Sequence, residues 1–245
     1  MDDSDPVRRL CAVVEAEVSE GGEGGDPVPP DLLADLTGLA EHASEAAELD
    51  GVALQTLDRS EGVREGVLLV FRAGVNEGRV VAHLVRELNN ALWRHNRRVH
   101  GRRRLRCRIS FHQGLVRLTE TGYEGPAVTV VTRLCASAGP HIGGAGGDAP
   151  DLALVIEARL LDDLAYPETP DLHKRDFRLV TVSVSGSPVP VYVHVAGEGP
   201  VPADGPVPGE GPVPREGPVP GEGPVAGEGR VAGEGRVAGE KGRSG

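Results

Sequence analysis

From about Val195 to the C-terminus the chain repeats a six-residue unit, "VAGEGP VPADGP VPGEGP VPREGP VPGEGP VAGEGR VAGEGR". This tract limits the foldable part of the protein more than any other feature. Each unit carries one valine as its sizeable apolar group, and glycine, proline and acidic residues supply most of the rest. Burying so little apolar surface does not offset the backbone entropy that ordering would cost. A collagen helix needs glycine at every third position, and "GEG" breaks that rule. The composition predicts an extended, disordered tail over residues 197–245. It leaves residues 1–196 as one domain, long enough to bury a proper core.

No apolar run reaches membrane-spanning length, and the N-terminus, "MDDSDP", is acidic where a secretory signal would be basic. Cys11, Cys107 and Cys135 are odd in number and lie in apolar stretches, with no metal-type Cys/His spacing. They read as reduced core thiols of a cytoplasmic protein. The formal net charge of −11 hides an asymmetry. Residues 1–65 hold 17 acidic and 4 basic side chains, whereas residues 94–108, "RHNRRVHGRRRLRCR", hold eight arginines and no acid. An acidic protein with a single basic band is a poor general nucleic-acid binder, so neither nucleic acid nor membrane is expected as a partner. The band reads as a solvated helix end and loop that pairs with the acidic N-terminal third. The other reading is a surface for phosphates or an acidic partner.

Periodicity sets the order of elements. Arg9–Val18 is a β-branched apolar run and reads as a buried strand. Asp31–Leu49 reads as a helix with Asp31 as N-cap. "GVALQTL" and Val67–Phe71 form a hairpin. Residues 76–99 read as a long helix capped by Asn76, with Val80, Val81, Leu84, Val85, Leu88 and Leu92 on one stripe. Leu105–Phe111 alternates, with Leu105, Cys107, Ile109 and Phe111 inward, and "GLVRL" reads as a separate short strand. In "GYEGPAVTVVTRL" the first four residues, 122–125, read as a turn and residues 126–137 as a helix with Pro126 at its first position. "GPHIGGAGGDAP" reads as a loop. A strand over Leu152–Glu157, a short helix and a closing hairpin finish the domain. The first six elements run strand, helix, strand, strand, helix, strand. That order gives an α+β chain with a ferredoxin-like βαββαβ core, extended by a helix and a β-hairpin.

This arrangement resembles the class III nucleotide cyclase (adenylate/guanylate cyclase) homology domain, in particular a divergent bacterial set of small stand-alone members. "RISFHQGLV" (Arg108–Val116) looks like the family's I-x-x-H-x-G-x-V strand pair, and "GYEGPAVTVVTRL" looks like its G-x-x-V-N-x-A-x-R-L helix start. The resemblance spans about residues 9–196. It implies a nucleotide cyclase-like fold, a homodimer or a protein partner, and a nucleoside triphosphate as ligand. In active members two carboxylates hold Mg²⁺ or Mn²⁺ on the triphosphate, and an Asn and an Arg of the helix steady the ribose and the developing charge.

Carried over by position, Arg133 stands on the family arginine and is the residue for the phosphates, being planar and always charged. Thr129, one turn earlier, stands where the family has Asn. Glu15 or Glu17 in the first strand and Glu65 in the hairpin stand where the family has metal-binding Asp. No lysine precedes Lys174, so the family's base-reading lysine is missing. Each Asp-to-Glu change moves a carboxylate by about one C–C bond, whereas Mg²⁺ demands near-ideal octahedral geometry. These departures imply a degenerate, non-catalytic nucleotide-binding, signalling or assembly module. The alternative is an active cyclase that makes a 3′,5′-cyclic nucleotide with Glu in the metal positions, best served by Mn²⁺. His112 reads as a packing residue bonded to backbone, and Trp93 and His95 as packing residues of the long helix.

Overall fold

The computed structural model describes residues 5–18, 31–57, 66–99, 104–142, 150–164 and 173–195. The expected tail, 197–245, lies outside them. Eight strands and four α-helices follow in the order β1 (Val7–Val18), α1 (Leu32–Ala46), β2 (Ala53–Leu57), β3 (Gly66–Val70), α2 (Glu77–Arg98), β4 (Leu105–Thr119), β5 (Gly122–Glu124), α3 (Pro126–Ile142), β6 (Leu152–Glu157), α4 (Ala158–Leu164), β7 (Arg178–Val184) and β8 (Ser187–Val195).

The strands form a sheet in the order β2-β3-β1-β4-β6-β8-β7, with β5 beside the end of β4. The first four places are the βαββαβ arrangement read from periodicity. β1 pairs antiparallel with both β3 and β4, β4 pairs parallel with β6, and β7–β8 is an antiparallel hairpin.

β1 lies inside the sheet with both faces covered, which is why its sequence reads as a continuous apolar run. Leu10, Ala12 and Val14 face α1 and α2 together with Leu69, Ile109 and Phe111. Cys11 and Val13 face the other way, with Leu68 and Val70, against Ala127, Val131 and Cys135 of α3. The far half of α3, through Leu134 and Ala138, covers Val155, Val182, Val191 and Val193. Helices therefore cover both faces of the sheet, and among the described residues α3 is the helix on the face where the site residues lie.

Four local expectations need correction. β4 is one strand from Leu105 to Thr119 and not two, because Gly114 pairs in register with Arg9 and leaves the ladder to β1 unbroken. Gly122–Glu124 is a short strand, not a plain turn: Thr119 pairs with Gly122 and Leu118 with Tyr123. α3 runs on to Ile142, through residues read as loop. Asp31 holds the N-cap position of α1 but makes no side-chain cap bond, whereas the Asn76 side chain accepts from the Arg79 backbone N–H at 2.9 Å. Among the described residues no helix is long and apolar enough to cross a membrane.

Candidate functional site

On the α3 face, β1 carries Glu15 and Glu17 and β4 carries Arg108. Glu15 and Arg108 are direct cross-strand partners in the register, and Glu17 lies two residues further along β1. The period of two therefore places all three on one face. One Arg108 Nη2 atom donates to Glu15 Oε2 at 3.1 Å, and Nη1 lies 3.6 Å from Glu17 Oε2. The Glu15 side chain is fully buried, Arg108 is 11% exposed and Glu17 is 38% exposed. α3 closes over the guanidinium at Gly139, where a Cβ would come within 2.9 Å of Arg108 Nη1.

Glu15 and Glu17, alternatives for one position in the sequence reading, thus both meet a guanidinium. A divalent cation placed between them would meet an arginine charge at contact distance in a low-dielectric site, where like charges repel strongly. Among the described residues no group of three or more His, Cys, Asp or Glu is placed to hold a metal ion. Glu65 lies outside the described residues. Its neighbour Gly66 pairs in register with Glu15.

The second set of expected residues lies on α3. Gly125 has φ +133° and Pro126 follows as the first helical residue. Thr129 is exposed, and its hydroxyl donates back to the Gly125 carbonyl at 3.4 Å. Arg133 is exposed one turn later and donates from Nη1 to the Ser185 hydroxyl. Ser185 sits in the β7–β8 turn at φ +54°. Within one chain, then, Arg133 is docked on the closing hairpin and Glu15 is docked on β4. The described bonds of the two sets do not meet.

One pair was missed by the sequence reading. His112 Nδ1 lies 2.7 Å from Glu157 Oε2, linking β4 to the end of β6. His112 was expected to bond backbone; its partner is a carboxylate. The H-x-G spacing places His112 and Gly114 on the same face, and Gly114 leaves room there: a Cβ would lie 3.1 Å from the Ala127 Cβ and 3.2 Å from His112 Nε2. The glycine lets the first turn of α3 sit directly over the imidazole.

The hydrogen bond from His112, with its charge, holds the Glu157 carboxyl below the usual glutamate range against the opposing effect of burial. A depressed folded-state pKa contributes stability above the unfolded value, about 4.3, which is lost as pH falls through the lower folded value. Glu157→Gln should therefore flatten the acid limb of a melting-temperature profile below about pH 5. A variant whose acid limb superimposes on that of the wild type would refute this.

The remaining candidates fall into place more plainly. The three cysteines are free and buried, and burial pushes Cys11 and Cys107 up to about 12, so they stay thiols at neutral pH. The basic band divides. Arg108 pairs with the N-terminal acids, but Arg104 makes a two-pronged bond to Asp151 at 2.7 Å. Trp93 does not pack as expected. It is 55% exposed, and the Arg97 guanidinium lies over its ring at 4.7 Å.

Among solved structures the chain is similar to the crystal structure of the guanylyl cyclase Cya2, at 20% identity with a TM-score of 0.50, over 81% of this chain and 97% of that one. It is also similar to the adenylate/guanylate cyclase/hydrolase from Silicibacter pomeroyi, at 20% identity with a TM-score of 0.49, over 78% of this chain and 99% of that one. No protein-family model and no curated protein matches the sequence. At this identity the likeness to Cya2 is one of fold: the mixed α+β sheet is that of a nucleotide cyclase domain.

Proposed function

We propose that this chain is a degenerate class III nucleotide cyclase-like protein that binds a nucleoside triphosphate without cyclising it. It acts as a signalling or assembly module, as a homodimer or with a protein partner. The observation that carries this reading is the Glu15–Arg108–Glu17 triad. Glu15 and Glu17, the first-strand carboxylates that the resemblance offers as metal ligands, are engaged by the Arg108 guanidinium. Mg²⁺ or Mn²⁺, if it enters with the triphosphate, is carried by the nucleotide's own oxygens. The phosphates lie at the start of α3, where unpaired backbone N–H groups and the helix dipole favour an anion. Arg133 leaves the Ser185 hydroxyl to bond them, and Thr129 adds a hydroxyl donor.

Isothermal titration of the purified chain with ATP, GTP, CTP and UTP, each with Mg²⁺ or Mn²⁺, tests the reading alongside mass detection of product. Saturable binding of at least one triphosphate is expected, with no 3′,5′-cyclic product. Arg133→Ala should weaken that binding about tenfold or more, the worth of one charged hydrogen bond, while the melting temperature stays nearly unchanged because the side chain is exposed. No binding of any triphosphate would leave a purely structural module. The rival reading, an active cyclase, draws on the register that places Gly66, next to Glu65, opposite Glu15. Cyclic product formed with Mn²⁺ and lost on Glu65→Ala would establish it instead.

A further inference from the structure

The basic band has a use that the site on α3 does not absorb. Where α1 crosses the C-terminal half of α2 there is a groove of about 560 Å³, within the range of small-molecule sites, about 300–1,000 Å³. Small residues open it. Gly38 on α1 has nothing within 4 Å of where a Cβ would stand, and Ala91 faces the groove from α2. Leu39 and Ala91 are buried and give an apolar floor. Two arginines line the edge, Arg94 and Arg98, one turn apart on α2; His95 also lines it, and His42 reaches across from α1. Arg94 Nη2 lies 3.2 Å from His42 Nε2, so this arginine is held over the groove. Asp35 is the one acid in the lining.

Among the described residues neither Arg94 nor Arg98 has a carboxylate within 4.0 Å. Cations near a helix C-terminus complement its dipole, and that alone accounts for arginines at the end of α2. It does not account for a histidine of another helix meeting them, nor for a glycine and an alanine holding the groove open. In a protein of net charge −11, a concave pair of arginines over an apolar floor selects a compact anion with a carbon body. Guanidinium groups bind phosphate in two-pronged fashion.

We propose that the α1–α2 groove is a phosphate site. A phosphate or diphosphate lies between Arg94 and Arg98, and the carbon body of the ligand rests on Leu39 and Ala91. Two sources share that chemistry, a soluble organic phosphate and an anionic lipid headgroup. The exposed Trp93, one residue before Arg94 on α2 and the sole tryptophan of the chain, reports whether this end of the helix meets a lipid surface.

The test uses the full chain carrying Arg133→Ala, which removes the anion-binding arginine of α3 and separates this result from the triphosphate reading. One arm titrates inorganic pyrophosphate calorimetrically. The other follows Trp93 emission as phosphatidylcholine vesicles are added with and without phosphatidic acid. Saturable binding in either arm is expected, weakened at least tenfold by R94Q with R98Q and abolished by Gly38→Leu. The last variant fills open space and replaces a helix-interior glycine, so it should fold with an equal or higher melting temperature. A blue shift confined to phosphatidic acid vesicles and lost in R94Q/R98Q assigns the lipid source, and pyrophosphate binding without that shift assigns the soluble one. No saturable binding in either arm, or binding that survives both R94Q/R98Q and Gly38→Leu, overturns the proposal.

Discussion

Replacing Arg108 by alanine is expected to cost the fold about 3–5 kcal/mol, because it removes the described cationic partner of a fully buried glutamate. The arginine spans Glu15 and Glu17 under α3, so its loss removes an ion pair from a buried carboxylate. A buried carboxylate that loses a cationic neighbour takes up a proton more readily. The deficit of Arg108→Ala should therefore shrink as pH falls from 8 towards 5 and grow again as pH rises. Urea unfolding at both pH values measures it, and a loss below about 1 kcal/mol at pH 8 would show the triad to be worth no more than a surface pair. Replacing both partners, Glu15→Leu with Arg108→Met, should recover most of the loss, since apolar groups of similar volume substitute for a buried pair at little cost.

The same variant bears on function. With the Arg108 charge gone, a divalent ion near the acidic pair meets less repulsion. Mn²⁺ should then raise the melting temperature of Arg108→Ala by mass action and leave the wild type unmoved. A wild type equally stabilised by Mn²⁺ would mean that the triad does not close the pair to metal.

Periodicity carried the fold a long way in this chain, and the reason is visible in particular residues. β1 is apolar on both faces because helices cover both, and α2 keeps one stripe because one side of it lies on the sheet. The inward set Leu105, Cys107, Ile109 and Phe111 is buried as alternation requires. What failed was local chemistry overridden by tertiary contacts. Gly114 looked like a break, yet it is small because Ala127 of α3 must lie over it. Gly139 and Pro140 looked like loop, yet α3 continues through them, with Gly139 close over the Arg108 guanidinium.

The site divides along the same line. That Glu15 and Glu17 share a face follows from their spacing of two. That Arg108 stands between them is a pairing across 93 residues, which no local pattern carries. His112 and Glu157 meet across 45 residues in the same way. Arg133 and Thr129 could be placed on one helix from their spacing, but the Ser185 hydroxyl that receives Arg133 belongs to a hairpin 52 residues on.

Gly125→Ala should destabilise the protein by about 3 kcal/mol, combining a strained backbone with an overpacked contact. Its φ of +133° lies where side chains are rarely tolerated, and the proline that follows narrows its choices further. A Cβ there would lie 2.8 Å from the Leu115 carbonyl oxygen and 3.3 Å from the Val116 Cα. Both are backbone atoms of β4, which cannot rotate aside as a side chain would. Relief requires moving the start of α3, whose Ala127, Val131 and Leu134 are all fully buried against the sheet.

Gly122 makes the comparison. It also has positive φ, +123°, but its nearest neighbour is the side-chain amide of Gln55, which can swing away at the cost of its bond to the Tyr123 backbone N–H. Gly122→Ala should therefore cost clearly less in the same urea titration, and equal losses would mean that strand and helix give way more easily than their spacing indicates. Because Gly125 fixes where the first turn of α3 lies, Gly125→Ala should lose triphosphate binding together with stability. Arg133→Ala should lose binding alone. If Gly125→Ala keeps full triphosphate affinity, the phosphates are not held at the start of α3, whatever Arg133 does.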